Sequence, residues 1–294
     1  MRRLALLLSL VTTATACVPE APPKTAETKA EEPNAEVKDV RPRDREPVLD
    51  EVLEAHLIAE SVDGVIAILD TNDGKLRCSN LERCQKQYVP ASTFKIAHTL
   101  AALEEGVLES ADSPMKWDGK EYTVEAWNQD HTLKSAMEVS CAPCFQSVAR
   151  TLGEERERAW LEKLEYGNKD GSGPLDLFWL EGGGLRISPI EQIDFLYRLD
   201  RGELPVKDSS RQTTLDVLVK SETDTYTLRA KTGAACDPTT GWYVGYLESG
   251  ARRVYIAVAL EGKREDADAA VELNAARPLV ALRALRDVTG LRID

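Results

Sequence analysis

Apolar positions follow two rhythms along this chain. Residues 64–70 (GVIAILD) are apolar at every interior position and run into a turn signal, Asn72-Asp73-Gly74, which predicts a buried strand opening a strand pair. After Pro90 the spacing changes to Ile96, Leu100 and Leu103 with Gly106 beyond, which predicts a helix starting at Ser92. Helical and loop-like patterns continue to about Gly202. Strands return at 225–233, 241–248 and 252–261, the last two joined by a tight turn at Ser249-Gly250. An amphipathic helix closes the chain over about 266–287, with Pro278 inside it and Gly290 past its end. This order predicts an α+β fold, an antiparallel β-sheet flanked by helices with a helical region inserted between its strands. No internal repeat is visible.

Composition narrows the organisation. With 294 residues, 43% of them hydrophobic, the chain can form one large domain or two small ones. Its net charge of -13 argues against nucleic acid as a partner, and the excess lies in the body. Residues 1–50 carry 8 basic and 9 acidic side chains, leaving 29 against 41 downstream. Residues 1–16 (MRRLALLLSLVTTATA) combine two arginines, a short apolar core and small residues, the pattern of a signal peptide. Two cleavage readings compete: an ordinary A-x-A site at Ala14 and Ala16, or a bacterial lipoprotein site with Cys17 as the lipid anchor. Residues 17–50 are rich in Pro, Glu, Lys and Ala and lack aromatics, so they are expected to form a disordered tether ahead of a catalytic domain at 51–294. That tether favours the lipoprotein reading, with the exported chain held in the periplasm at the outer membrane.

Export permits disulfides. Cys78 and Cys84 flank a short loop suited to a staple, whereas the sequence does not pair Cys141, Cys144 and Cys236. Cys141 and Cys144 have zinc-like spacing, but with no second pair and no histidine nearby in sequence no metal is expected. His56, His98 and His131 form no triad pattern and receive no role.

The chemistry centres on Ser92 and Lys95, three residues apart in an apolar run. A serine needs a neighbour to take its proton, and a buried lysine loses the solvation that keeps it charged. An isolated S-x-x-K more often means a helix cap and a lysine reaching for water. Here it is followed by Ser140-Cys141-Ala142, by Tyr166-Gly167-Asn168, by FWLEG around Trp179, and by Lys231-Thr232-Gly233 at the end of a strand. As a set, from about residue 60 to the C-terminus, these resemble the class D, oxacillinase-type, serine β-lactamases, whose fold is that of penicillin-binding transpeptidases.

The resemblance implies roles. Ser92 would attack the lactam carbonyl to form an acyl-enzyme. Lys95 would react with carbon dioxide to give a carbamate (N6-carboxylysine) that acts as general base, its indole partner being Trp179. Carbon dioxide or bicarbonate would then be required, with no dissociable cofactor. Ser140, assisted by Lys231, would relay a proton to the leaving nitrogen, and backbone N–H groups of Ser92 and Ala234 would form an oxyanion hole. Thr232 and Arg277 would meet the substrate carboxylate, with Gly233, Trp127 and Ala142 also in the substrate site; Arg283 and Arg286 are expected at the surface.

Departures from the family pattern bear on spectrum and rate. Ala142 stands where valine is usual and is expected to leave the lysine pocket wetter, unless Cys141 or Phe145 fills the gap. The glycine-rich loop after Trp179 is one residue longer, and the segment after Gly233 is short. Two rival functions remain: a penicillin-sensing domain that shares the motifs but acylates once and stays occupied, and a cell-wall transpeptidase or carboxypeptidase, which keeps the serine and Lys-Thr-Gly elements but normally lacks the tryptophan motif. The lactam spectrum, and whether the chain is a monomer or a homodimer, are left open.

Overall fold

The computed structural model describes residues 40–236, 239–262 and 267–293. In chain order the elements are β1 (Val48–Leu49), α1 (Glu51–Ala59), β2 (Asp63–Asp70), β3 (Leu76–Cys78), α2 (Leu81–Gln85), α3 (Lys95–Glu104), β4 (Pro114–Met115), β5 (His131–Thr132) and α4 (Leu133–Glu138). They continue with α5 (Ala142–Leu152), α6 (Glu154–Leu164), α7 (Pro189–Arg201), α8 (Asp208–Val217), β6 (Val219–Glu222), β7 (Thr227–Cys236), β8 (Thr239–Ser249), β9 (Arg252–Glu261) and α9 (Ala267–Thr289). The main sheet has the order β1-β3-β2-β9-β8-β7-β6. The three strands before the helical region (β1–β3) and the four after it (β6–β9) thus share one sheet, as the strand–helix–strand pattern predicts. The sheet departs from all-antiparallel at one edge, where the two-residue β1 pairs parallel with β3. A strand that short carries no periodic signal.

Burial explains the uninterrupted apolar run of β2. Val65, Ala67 and Leu69 face one hydrophobic cluster, and Ile66 and Ile68 face a second on the opposite side. The first cluster is built with α3, α5, α6 and α7, the second with α1 and α9. A strand covered on both faces has no solvent side for polar residues. The tight turn between β8 and β9 centres on Gly250, whose φ of 58° lies in the left-handed region that glycine enters without strain.

Residues 40–50, expected to belong to the tether, are instead packed on the folded body. Arg41 and Arg43 both reach Asp194 of α7 at 2.8 Å, and Arg198 meets the same carboxylate at 3.0 Å. Asp194 is fully buried. Burial alone would raise its pKa, but the Arg41 hydrogen bond and the three guanidinium charges outweigh it and hold the carboxyl below its usual range. Helix α7 begins with a reciprocal cap between Ser188 and Glu191, so the helix carrying this anchor has a defined start. Signal-peptide residues and Cys17 lie outside the described residues.

Candidate active site

Ser92 sits in a separate 3-10 turn, Ala91–Phe94, rather than in the first turn of α3, and Lys95 is the first residue of α3. The turn is held from several sides. Ala91, at φ 49°, donates its N–H to the carbonyl of Trp179 at 3.0 Å. The Trp242 indole donates to the carbonyl of Val89 at 2.8 Å, and Gln192 donates to the Thr93 hydroxyl at 2.7 Å. Sequence reasoning missed Gln192 and Trp242, because both come from elements remote in the chain.

Lys95 Nζ lies 2.6 Å from Ser92 Oγ, and the lysine is 1% exposed. Burial pushes its pKa down to about 7, which makes the neutral amine accessible near neutral pH. The Phe145 ring lies 5.6 Å from Nζ and is fully buried. Ala142 is only half-buried at the start of α5, so cover for the amine comes from the next turn of that helix.

Trp179 is 1% exposed and its indole N–H has no hydrogen-bond partner among the described residues. Leaving such a donor unpaired costs about 1–3 kcal/mol. The ring packs with Phe94 at 5.8 Å and His98 at 4.4 Å between centroids, and His98 in turn stacks on Phe145, the ring beside the Lys95 amine. His98, left without a role by the sequence, is fully buried there and reaches Glu157 at 3.0 Å. The YGN motif ties down the loop that follows Trp179. Asn168 accepts from the Arg186 N–H and donates to the Gly184 carbonyl, and a Cβ at Gly167 (φ 51°) would stand 2.0 Å from the Arg186 carbonyl oxygen. Only glycine fits that position.

On the opposite wall, Lys231 of β7 donates to Ser140 Oγ at 2.8 Å and to the carbonyl of Thr232 at 2.9 Å. Burial, reinforced by the like charges of Lys95, Lys220 and Arg277, drives its pKa well below the usual lysine value. Ser140 stands just before α5 at φ 55°, a conformation few non-glycine residues adopt. β6 covers β7 only over Thr227–Arg229, so the stretch Lys231–Ala235 has β8 on one side and, among the described residues, no strand on the other. That open edge runs beside the Ser92 turn. A Cβ at Gly233 would come within 3.1 Å of the Pro90 carbonyl and of the Thr93 methyl. Ala234 is exposed on this edge and Thr232 is half-exposed.

Arg277 of α9 hydrogen-bonds the Gly233 carbonyl through Nη1, and its buried Nε has no partner among the described residues. Burial lowers its pKa to about 10. Among the described residues, none of Lys95, Lys231 and Arg277 is paired with a carboxylate. In an acidic protein Arg277, whose pKa stays well above neutral, leaves a positive charge at this edge suited to an anion. Trp127 is half-buried, its indole donating to the Val139 carbonyl at 3.1 Å. His131 steadies that wall, one ring nitrogen against the Ala126 carbonyl and the other against Ser135. Arg283 and Arg286 are exposed, as expected; Arg283 meets Glu60 and Arg286 meets the Ile293 carbonyl.

Both pairs of described cysteines are bridged, Cys78 to Cys84 and Cys141 to Cys144. The side chain of Cys236 lies outside the described residues. Folding does bring a histidine to Cys141 and Cys144, since donor atoms of His131 and the two sulfurs lie within 4.8 Å of one another. With the sulfurs bonded together and both ring nitrogens engaged, this group holds no free donor set for a metal.

A family model described as the penicillin binding protein transpeptidase domain matches residues 59–281. The β-lactamase OXA-48 of Klebsiella pneumoniae is 39% identical over 196 residues, covering 66% of this chain and 74% of that protein. This chain belongs to the class D β-lactamases. The crystal structure of the class D β-lactamase YbXI from Nostoc superposes with a TM-score of 0.76 at 36% identity, covering 82% of this chain and 99% of that one. The regulatory protein BlaR1 of Bacillus licheniformis is 36% identical over 210 residues, which span 70% of this chain but only 35% of that protein. Within the class D framework, the Ser92–Lys95 pair lies beside the open edge of β7, the strand that carries Lys231 and its hydrogen bond to Ser140.

Proposed function

We propose that this class D chain hydrolyses β-lactams through an acyl-enzyme on Ser92, with Lys95 acting as a carbamylated base. One observation carries the base assignment: a fully buried lysine at 2.6 Å from the nucleophile shares its aromatic enclosure with an unpartnered indole N–H on Trp179. The neutral amine combines with carbon dioxide and releases one proton, giving an N-carboxylate. When carbamylated, Lys95 supplies a carboxylate-like base beside Ser92. The buried Trp179 N–H is a donor suited to that anion.

The remaining residues divide the work. Ser92 Oγ attacks the carbonyl while N–H groups of Ser92 and Ala234 receive the developing oxyanion. As the lactam C–N bond breaks, Ser140 gives its proton to nitrogen. Lys231 already donates to Ser140 Oγ, so it supplies the replacement. Thr232 and Arg277 take the substrate carboxylate, and Trp127 and Ala142 flank the cleft. Bicarbonate dependence of steady-state turnover tests the base: added bicarbonate should raise the rate of degassed enzyme, and an indifferent rate at every pH would overturn it.

Similarity to BlaR1 favours one second reading, a sensor that acylates without efficient turnover. A nitrocefin progress curve separates the two, since continuous hydrolysis means lactamase and a burst of one equivalent means sensor. The paired cysteines support export to an oxidising compartment. With the signal pattern of residues 1–16 they favour a periplasmic protein anchored to the outer membrane through a lipidated Cys17. Labelling with radioactive palmitate, lost in Cys17→Ser, tests the anchor.

A further inference from the structure

The sequence Cys141-Ala142-Pro143-Cys144 is a CxxC pair directly after Ser140, and none of the roles above uses it. We propose that the Cys141–Cys144 bridge is a thiol-exchange site for a small thiol, and that its redox state sets the position of Ser140. The exchange chemistry stands apart from the proposed hydrolysis; the coupling rests on reading Ser140 as the proton relay.

Access distinguishes the two described disulfides. Cys78 and Cys84 are both 0% exposed, as is Cys141, whereas Cys144 is 6% exposed. Cys144 also lines a cavity of about 190 Å³ walled by Val107, Leu108, Met115 and Val148, with Thr151 beside them. That space admits a small thiol to one sulfur and withholds the other, so attack has a direction. Charge stabilisation has the same direction. Cys141 is the N-cap of the eleven-residue α5, and its sulfur accepts the Cys144 backbone N–H at 3.2 Å. A thiolate leaving at Cys141 is therefore met by an N–H donor and by the positive end of the helix.

The step balances as ordinary exchange. An external thiolate attacks Cys144 Sγ, the Cys141–Cys144 bond breaks, and Cys141 leaves as thiolate while a mixed disulfide forms at Cys144. A second external thiolate attacks the external sulfur of that mixed disulfide and releases Cys144. Two external thiols are oxidised to one disulfide, and two electrons reduce the bridge. The consequence for the active site is local. Ser140 holds φ 55° and receives Lys231 at 2.8 Å, and its position is fixed on one side by the Cys141 N–H bond to the Ala136 carbonyl and by the bridge that closes the first turn of α5. Opening the bridge removes one of those constraints.

The test uses the full folded chain. Wild-type protein is held in graded glutathione buffers, quenched with iodoacetamide and mapped by peptide mass, with nitrocefin turnover measured in parallel. Cys141 and Cys144 should be alkylated together while Cys78 and Cys84 stay protected, and turnover should fall by about tenfold or more, the cost of a small displacement of a reacting group, and recover on reoxidation. Opening of both bridges together, or of Cys78–Cys84 first, would overturn the exchange site. Exchange with unchanged turnover would overturn the coupling. With glutathione disulfide, Cys141→Ser should gain one glutathione at Cys144, and Cys144→Ser should gain none at Cys141; equal or reversed labelling would also count against the site. A thioredoxin-type dithiol protein, too large for the cavity, should reduce the bridge far more slowly than glutathione, and faster reduction by it would overturn the small-thiol assignment. Failure of the oxidised enzyme to acylate with a fluorescent penicillin would instead defeat the proposed function and leave the mass map untouched.

Discussion

The amine of Lys95 and the hydroxyl of Ser92 lie 2.6 Å apart in an enclosure that leaves the lysine 1% exposed. Such burial disfavours the ammonium, and the pKa falls to about 7. Above that value the amine is neutral and can take up carbon dioxide; below it the ammonium has no lone pair to do so. Turnover should therefore decline as pH falls through about 7, and bicarbonate should move that limb to lower pH. Lys95→Ala should lower kcat by about 100-fold or more, the usual contribution of a general base. A pH–rate profile with and without bicarbonate checks both.

Trp179→Phe keeps a ring in the aromatic group and removes the unpartnered N–H. It should lower kcat at ambient carbon dioxide and raise the bicarbonate concentration giving half-maximal rate. Carbon-13 NMR with labelled bicarbonate should show a weaker carbamate signal than wild type. Thermal stability should change little, because loss of ring area is offset by relief of an unsatisfied donor worth about 1–3 kcal/mol. An unchanged bicarbonate requirement would assign Trp179 to packing alone.

At Gly233 a methyl would approach the Pro90 carbonyl and the Thr93 methyl at 3.1 Å and the Trp242 Cβ at 3.2 Å. Gly233→Ala should push β7 away from the Ser92 turn by a few tenths of an ångström and destabilise the fold by about 1–3 kcal/mol. Acylation should suffer more than folding, with the second-order rate constant for a fluorescent penicillin down by about tenfold or more. Stopped-flow acylation and a denaturant melt on the same preparation separate the two effects.

Asp194→Ala should leave Arg41, Arg43 and the buried Arg198 without their shared carboxylate, costing about 3–5 kcal/mol. The sign with pH follows from the lowered pKa of Asp194. Its contribution is complete above the unfolded carboxylate pKa near about 4 and fades as pH falls through the lower folded value. The stability gap between wild type and variant should narrow in acid, as urea melts across that range would show.

The order of elements along the chain and the short motifs were legible in the sequence because both are local. β2 reads as a buried strand from its unbroken apolar run, and α9 reads as a helix despite Pro278. Ser92, Lys95, Ser140 and Lys231 were found because each lies in a short motif of fixed spacing. Partners from distant segments were not legible, since spacing says nothing about contacts across a hundred residues. Gln192 holding Thr93, Trp242 holding Val89 and His98 packing on Trp179 belong to this class. The sequence also placed Ser92 in the helix itself, whereas the fold gives it a separate turn pinned through the Trp179 carbonyl. Likewise, it could name Cys141 and Cys144 but not pair them, because a disulfide depends on how two side chains are brought together. The sequence by itself thus determined which groups are candidates for the chemistry. The tertiary structure decided which of them are dehydrated and in contact, because burial and long-range packing are properties of the assembled chain.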